Sequence, residues 1–166
     1  PIRILIAECE HPATIITALY FAKKYGVEKL LDISPLFETS ISIERGARIM
    51  EQALDCIPFL ENIILRKRIT IQTGFSDAGR FMGQITSALA VERLQVKLSE
   101  VISRKLKKNI EVVIFNTHGE SIGRGGHPNG IEERNKYIFS SFARKSFTNK
   151  GFKFKHETSF QGGDGF

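Results

Sequence analysis

Tryptophan is absent from this chain of 166 residues, and cysteine occurs only twice. Cys9 and Cys56 stand in no Cys-x-x-Cys or Cys/His ligand spacing, which argues against a disulfide-stapled secreted scaffold and a zinc finger. They read as reduced, packed thiols of a cytoplasmic protein. No apolar run approaches the roughly 20 residues needed to cross a bilayer. The amino terminus also lacks the charged-then-apolar pattern of a secretory signal, so no membrane partner is expected. Acidic residues are short as well, 18 against 24 Lys and Arg, leaving a net charge of +6. A basic excess concentrates anions at a surface without saying which. Much of it lies in Arg104, Lys105, Lys107 and Lys108 and in residues 144–155. No aromatic residue interleaves the first run to stack bases. It reads as a helix carboxyl end, where cations face the negative pole of the dipole, and nucleic acid is not an expected partner.

What is present suits one globular domain: 42% of positions are hydrophobic and 25% charged, enough to bury a core. The chain begins at Pro1 without a methionine and stops at Phe166 in a glycine-rich stretch. Both ends read as cuts, and residues 1–166 are expected to be a single domain that is a piece of a longer protein.

Strand and helix patterns alternate. Residues 3–8 have strand length, and Pro12 opens a helical pattern closed by Gly26. Residues 30–37 read as a second strand ending in Glu38, followed by a helix through Ile49, Ala53 and Leu54 that Pro58 should stop. The third strand, 68–73, runs into Gly74-Phe75-Ser76-Asp77. Beyond Gly79, Leu94, Leu98, Ile102 and Leu106 recur four apart on one helix face. Residues 110–115 are a fourth strand leading to His118, and 152–156 alternate as a fifth would.

Strands alternating with helices imply a parallel α/β sheet. Glu8, Glu38, Asp77 and His118 each fall at the carboxyl end of a different strand. A rim built by successive strands is the habit of a (β/α)8 barrel, of which four to five units would be present. An open sheet would gather its site at one switch point instead.

Glu38 and Asp77 suit a hard divalent cation, which one or two carboxylates hold while water and substrate phosphate complete the shell. Either could equally cap the helix that follows it. The run Ser121-Ile122-Gly123-Arg124-Gly125-Gly126-His127-Pro128 sets three glycines around one arginine. The backbone could approach an anion there and the guanidinium grip it bidentately, or the run could be a surface turn. It is no Walker A loop, lacking Gly-Lys-Ser/Thr. His118 could act as base or donor near neutral pH. Arg80, three residues after Asp77, could face the same mouth or only solvent.

With these residues in hand, the chain resembles the phosphoenolpyruvate carboxylase family, in a divergent bacterial-type branch. Four stretches carry the resemblance in the family's order: Ile33-Ser34-Pro35-Leu36-Phe37-Glu38-Thr39; Gly74-Phe75-Ser76-Asp77-Ala78; Phe115 through His118-Gly119 to Gly123-Arg124-Gly125-Gly126; and Ser159-Phe160-Gln161-Gly162. The resemblance implies an α/β barrel that joins bicarbonate to phosphoenolpyruvate, giving oxaloacetate and phosphate through carboxyphosphate and an enolate. It implies Mg2+ or Mn2+ as cofactor, a cytoplasmic homotetrameric parent and anaplerotic supply of the tricarboxylic acid cycle. Glu38 and Asp77 would be metal ligands, His118 would place bicarbonate or carboxyphosphate, and Arg124 would stabilise phosphoryl and carboxylate charge. Arg80 would be catalytic where the family has lysine, and Gly123, Gly125, Gly126, Gln161 and Gly162 would line the substrate.

The departures are an arginine for lysine at Arg80, a glycine loop two residues short, Glu120 near the place of the loop's first arginine, and a loose match at 161–164. They leave room for a metal-dependent barrel lyase or aldolase acting on another phosphoenol or enolate. A non-catalytic module that binds a partner through its basic face explains none of the strand-end residues. The family's upstream histidine motif and downstream arginines are missing. The isolated chain is accordingly expected to form no oxaloacetate, and measurable turnover by purified 166-residue protein would overturn that expectation.

Overall fold

The computed structural model describes residues 2–119, 121–126 and 129–161. Five strands, β1 (Ile2–Ile6), β2 (Leu31–Phe37), β3 (Arg68–Gly74), β4 (Glu111–Gly119) and β5 (Lys153–Gln161), form one sheet in the order β1-β2-β3-β4-β5. Every neighbouring pair is parallel. Each strand therefore lies beside its sequence neighbour, and the described strands contain no switch point. Right-handed crossovers then bring the connecting helices to the same face.

The sheet is strongly curved. Neighbouring strands lie about 4.8 Å apart, so the edges of a flat five-stranded sheet would stand roughly 19 Å apart. Yet Arg3 of β1 and Glu157 of β5 form an ion pair at 2.7 Å, and the Arg3 guanidinium lies over the Phe115 ring of β4. Two side chains cannot bridge a flat sheet. The strands must curl so that Arg3, Phe115 and Glu157 share a concave face. Strand alternation adds Asp32, Ser34, Leu36, Arg68, Thr70, Gln72 and Glu111 to that face. At its amino end, buried Asp32 pairs with Arg66 at 2.6 Å and Arg68 at 3.3 Å, and Arg68 reaches Glu111 at 2.6 Å.

The opposite face carries Ile33, Phe37, Ile69, Ile71, Val112 and Ile114, all in the main core. Helices cover it. α1 (Pro12–Lys24) has Pro12 in its first turn, where a missing N–H costs nothing. α2 (Ser40–Asp55) begins with a reciprocal capping box between Thr39 and Ser42. It ends ahead of Pro58, as expected, but Pro58 then opens a further helix, α3 (Ile57–Arg66). α4 (Phe75–Met82) follows β3 directly, and the chain breaks at Gly83, with φ +79°, before α5 (Gln84–Lys105). The helical region thus begins before Gly79. α5 ends in Arg104 and Lys105, as the dipole reading of that basic run required. Two short helices that hydrophobic periodicity did not announce, α6 (Ile131–Ile138) and α7 (Ser141–Thr148), precede β5. Among the described residues, no helix is long and apolar enough to cross a membrane.

Behind β5, His156 is stacked on Phe139 and hydrogen-bonded to Asn116 at 2.8 Å. Burial, with the charge of Arg144 and the neighbouring His118, pushes its pKa down to about 4. The folded protein therefore binds fewer protons than the unfolded chain between about pH 6.5 and 4. Stability from this group is whole at pH 7, falls through that window and is lost below it, a change on the order of 3 kcal/mol. Urea unfolding at pH 7 and pH 4.5 should show that loss in the wild type and a flatter profile in His156→Gln.

Candidate metal and anion site

The carboxyl ends of β1, β2 and β3 meet through backbone contacts. After β1, Glu8 takes the left-handed conformation, with φ +47°. Its N–H donates to Glu38 Oε1 at 3.2 Å, while the Cys9 N–H donates to the Leu36 carbonyl at 3.1 Å. Glu38 is held from the other side as well: its own N–H and that of Thr39 donate to Ser42 Oγ, each at 3.0 Å. Glu38 is thus fixed between the end of β2 and the first turn of α2.

β3 closes on Glu38 from its flank. A Cβ at Gly74 would lie 2.6 Å from Glu38 Cβ, so only glycine lets the two chains approach this closely. Because α4 starts at the next residue, Asp77 falls in its first turn, where a carboxylate faces the positive pole of the helix. Glu38 and Asp77 are brought together. The Glu38 carboxyl is held above its usual range by burial first, then by the hydrogen bond and charge of Asp77 and by the charge of Glu8; the Glu8 N–H offsets part of this. Arg80 lies one turn on, its guanidinium 3.5 Å from Asp77 and largely exposed.

The glycine loop docks on the same helix. A Cβ at Gly79 would stand 1.9 Å from the Gly123 carbonyl oxygen, so α4 and the loop touch backbone to backbone. Residues Ile122–Arg124 form a 3-10 turn, and Arg124 Nε donates to Ser76 Oγ at 2.8 Å. The backbone N–H groups of Arg124, Gly125 and Gly126 donate to carbonyls of Ser121 and Ile122 inside the loop. These three N–H groups are thus used in the loop's own folding, and the Arg124 side chain is held against α4. Gly125 and Gly126 are buried and Gly123 is exposed.

His118 lies elsewhere. It is only 3% exposed and shares with Asn116 the face of β4 turned to the helices. Its Cβ is 3.1 Å from where a Cβ on Gly125 would be. Burial, then the charge of Arg134, hold its pKa below the usual imidazole range, with a backbone hydrogen bond at Gly119 offsetting part. At the end of β5, Gln161 pairs with Gly119. The Gln161 side chain, Gly162, Glu120, His127 and Pro128 lie outside the described residues.

Two contributors were missed as site residues. Glu8 was legible as a strand-end acid, but its backbone donation to Glu38 depends on a left-handed turn. Ser76 was visible only as a neighbour of Asp77. Among the described residues, no three His, Cys, Asp or Glu side chains cluster to hold a metal. A pair of carboxylates is nevertheless the usual protein share of a Mg2+ or Mn2+ shell. Two acids drawn together, one resisting ionisation, are a donor set that a divalent cation would relieve.

The phosphoenolpyruvate carboxylase family model matches residues 3–131. The chain belongs to that family. Phosphoenolpyruvate carboxylase of Hahella chejuensis is 27% identical over 124 residues, and that of Marinomonas sp. 31% over 125. Phosphoenolpyruvate carboxylase 1 of Zea mays is 23% identical over 124 residues. Each alignment covers 75% of this chain but only 14%, 14% and 12% of the respective relative. The carboxylase match takes in Glu38, Asp77, Arg80, His118 and Arg124 and ends at the start of α6.

Removing one acid of the pair should relax the other. In Asp77→Asn without metal, the Glu38 carboxyl is expected to titrate at lower pH than in the wild type. Carbon-13 NMR of labelled glutamate would follow it, and an unchanged midpoint would mean that the two groups do not interact.

Proposed function

We propose that this chain forms the metal-holding part of a phosphoenolpyruvate carboxylase active site, in a protein that joins bicarbonate to phosphoenolpyruvate to give oxaloacetate and phosphate. The observation that carries the proposal is the Glu38–Asp77 pair set beside an arginine tethered to the same helix. Glu38 and Asp77 would hold Mg2+ or Mn2+, which when bound supplies positive charge to substrate oxygens and to the enolate that develops. Arg124, oriented by Ser76, binds phosphoryl and carboxylate oxygens and stabilises charge on departing phosphate. Arg80 steadies Asp77 and adds a second cation at the mouth, where the family's lysine would provide a point charge instead of a planar fork.

His118, buried under the loop, where burial disfavours its charged form, is the residue that would place bicarbonate or carboxyphosphate. Gly123, Gly125, Gly126, Gln161 and Gly162 complete the substrate wall in this reading. The concave face extends it to a closed (β/α)8 barrel: buried Ser34 Oγ, Thr70 Oγ1 and Gln72 Oε1 have no hydrogen-bond partner among the described residues. Further strands, side chains or water would satisfy them. A cytoplasmic tetramer feeding the tricarboxylic acid cycle is the setting proposed for the whole protein.

The test is oxaloacetate formation by the full protein containing this chain, with Mg2+, phosphoenolpyruvate and bicarbonate. Asp77→Asn is expected to lower kcat/KM on the order of a thousandfold, the loss of several kcal/mol of charge stabilisation. Metal-dependent turnover of phosphoenolpyruvate that needs no bicarbonate would instead favour a lyase or aldolase.

A further inference from the structure

Directly behind the site, four buried polar side chains form a chain across the fold. Gln95 of α5 donates through Nε2 to Thr73 Oγ1 of β3 and to Asn116 Oδ1 of β4, both at 3.3 Å. Thr73 Oγ1 donates to Asn116 Oδ1. Asn116 Nδ2 reaches His156 Nε2 of β5 at 2.8 Å. Gln95, Thr73 and Asn116 are all fully buried. Around them the same layer is Ile71, Ile114, Leu94 and Leu98, so apolar side chains could have filled the space.

The network is not the cheapest way to build this core. Gln95 Oε1 is buried without a hydrogen-bond partner among the described residues, and an unsatisfied buried oxygen opposes folding. A polar chain kept under that penalty gives directional bonds that an oily layer lacks, and so one fixed register. Its position says what is registered. Thr73 precedes Gly74, the residue against which Glu38 packs, and Asp77 follows in the first turn of α4. Asn116 is two residues before His118 on the same strand face, and His156 is close enough to His118 to sense its charge.

We propose that Gln95, Thr73, Asn116 and His156 are positioning residues that pin the carboxyl end of β3 and the middle of β4 and β5 to α5 and so set the place of Asp77 relative to Glu38. This rests on the reading of Glu38 and Asp77 as the divalent-cation site. Outer partners that orient metal ligands typically change affinity by about ten- to a hundredfold when removed.

The experiment measures Mn2+ binding by calorimetry and electron paramagnetic resonance in the full protein, with folding checked by circular dichroism and thermal melting. Gln95→Leu and Asn116→Leu, apolar and close in size, are expected to weaken Mn2+ binding about tenfold or more while remaining folded. Asn116→Asp retains an acceptor for Thr73 and Gln95 and can pair with a protonated His156. It should recover most of the affinity and raise the His156 titration midpoint seen by NMR. Asp32→Asn, which weakens the ionic cluster at the opposite end of the strands, is the control for general destabilisation and should leave Mn2+ affinity unchanged.

Wild-type affinity in the folded leucine variants, or an equal loss in Asp32→Asn, would overturn the positioning role while leaving the metal site standing. If the wild type itself binds no Mn2+, the metal reading fails and this inference fails with it. Should both leucine variants be unfolded, Asn116→Asp decides alone: restored affinity with a raised His156 midpoint supports the role, and lost affinity with that same raised midpoint refutes it.

Discussion

The arrangement of the site depends on two acids, Glu38 and Asp77, held side by side. Glu38 and Asp77 come from consecutive βα units, and nothing local would bring them together. Their approach is imposed by a parallel sheet whose neighbouring strands end at one level and by a glycine at 74 that lets β3 touch Glu38. The repulsion is offset piecewise. Glu8 contributes an N–H to Glu38, Ser42 anchors the backbone at 38 and 39, the helix pole and Arg80 attend Asp77, and Glu38 resists ionising. Such an arrangement is sustained by the surrounding scaffold and is suited to a cation.

That scaffold divides its labour between the two ends of the strands. At the amino ends, charges are opposite and mutually satisfied: Asp32 with Arg66 and Arg68, and Arg68 with Glu111. At the carboxyl ends, like charges gather and an arginine is tethered beside them. Barrel enzymes likewise keep stability at the amino ends of their strands and their sites at the carboxyl ends. The Arg3–Glu157 pair joins the two outermost strands across the concave side, so the curvature that points the strand ends toward one mouth is itself held by an ion pair.

Local rules announced most of the elements and failed where packing outweighed them. The five strands were legible because β-branched and apolar residues cluster at strand length between turn residues. Pro58 was legible as the end of α2, but proline is also at home in a first helical turn, and Cys56 alone is enough connection to start α3. The break between α4 and α5 lies at Gly83, with a positive φ, inside the stretch beyond Gly79 that apolar spacing marks as one helix. α6 and α7 have eight residues each, too few turns for their periodicity to stand out. His118 was legible as a strand-end histidine, but which face it takes depends on the alternation of β4 and the helices packed against it.

Residue chemistry by itself determined the family, the alternating α/β pattern and the identity of the acids and the arginine that converge, because these follow from side-chain type and local spacing. Tertiary structure decided what those residues are to one another. Register placed Asp77 beside Glu38, backbone contact at Gly79 docked the loop on α4, and Ser76 turned Arg124 toward that helix. The N–H groups of Arg124, Gly125 and Gly126 were taken up by carbonyls of the same loop, and His118 was turned to the helices. The physical reason is distance. Propensity and periodicity act over a few residues, whereas the charge on Glu38 depends on a group 39 positions away, brought near only when separate strands pair.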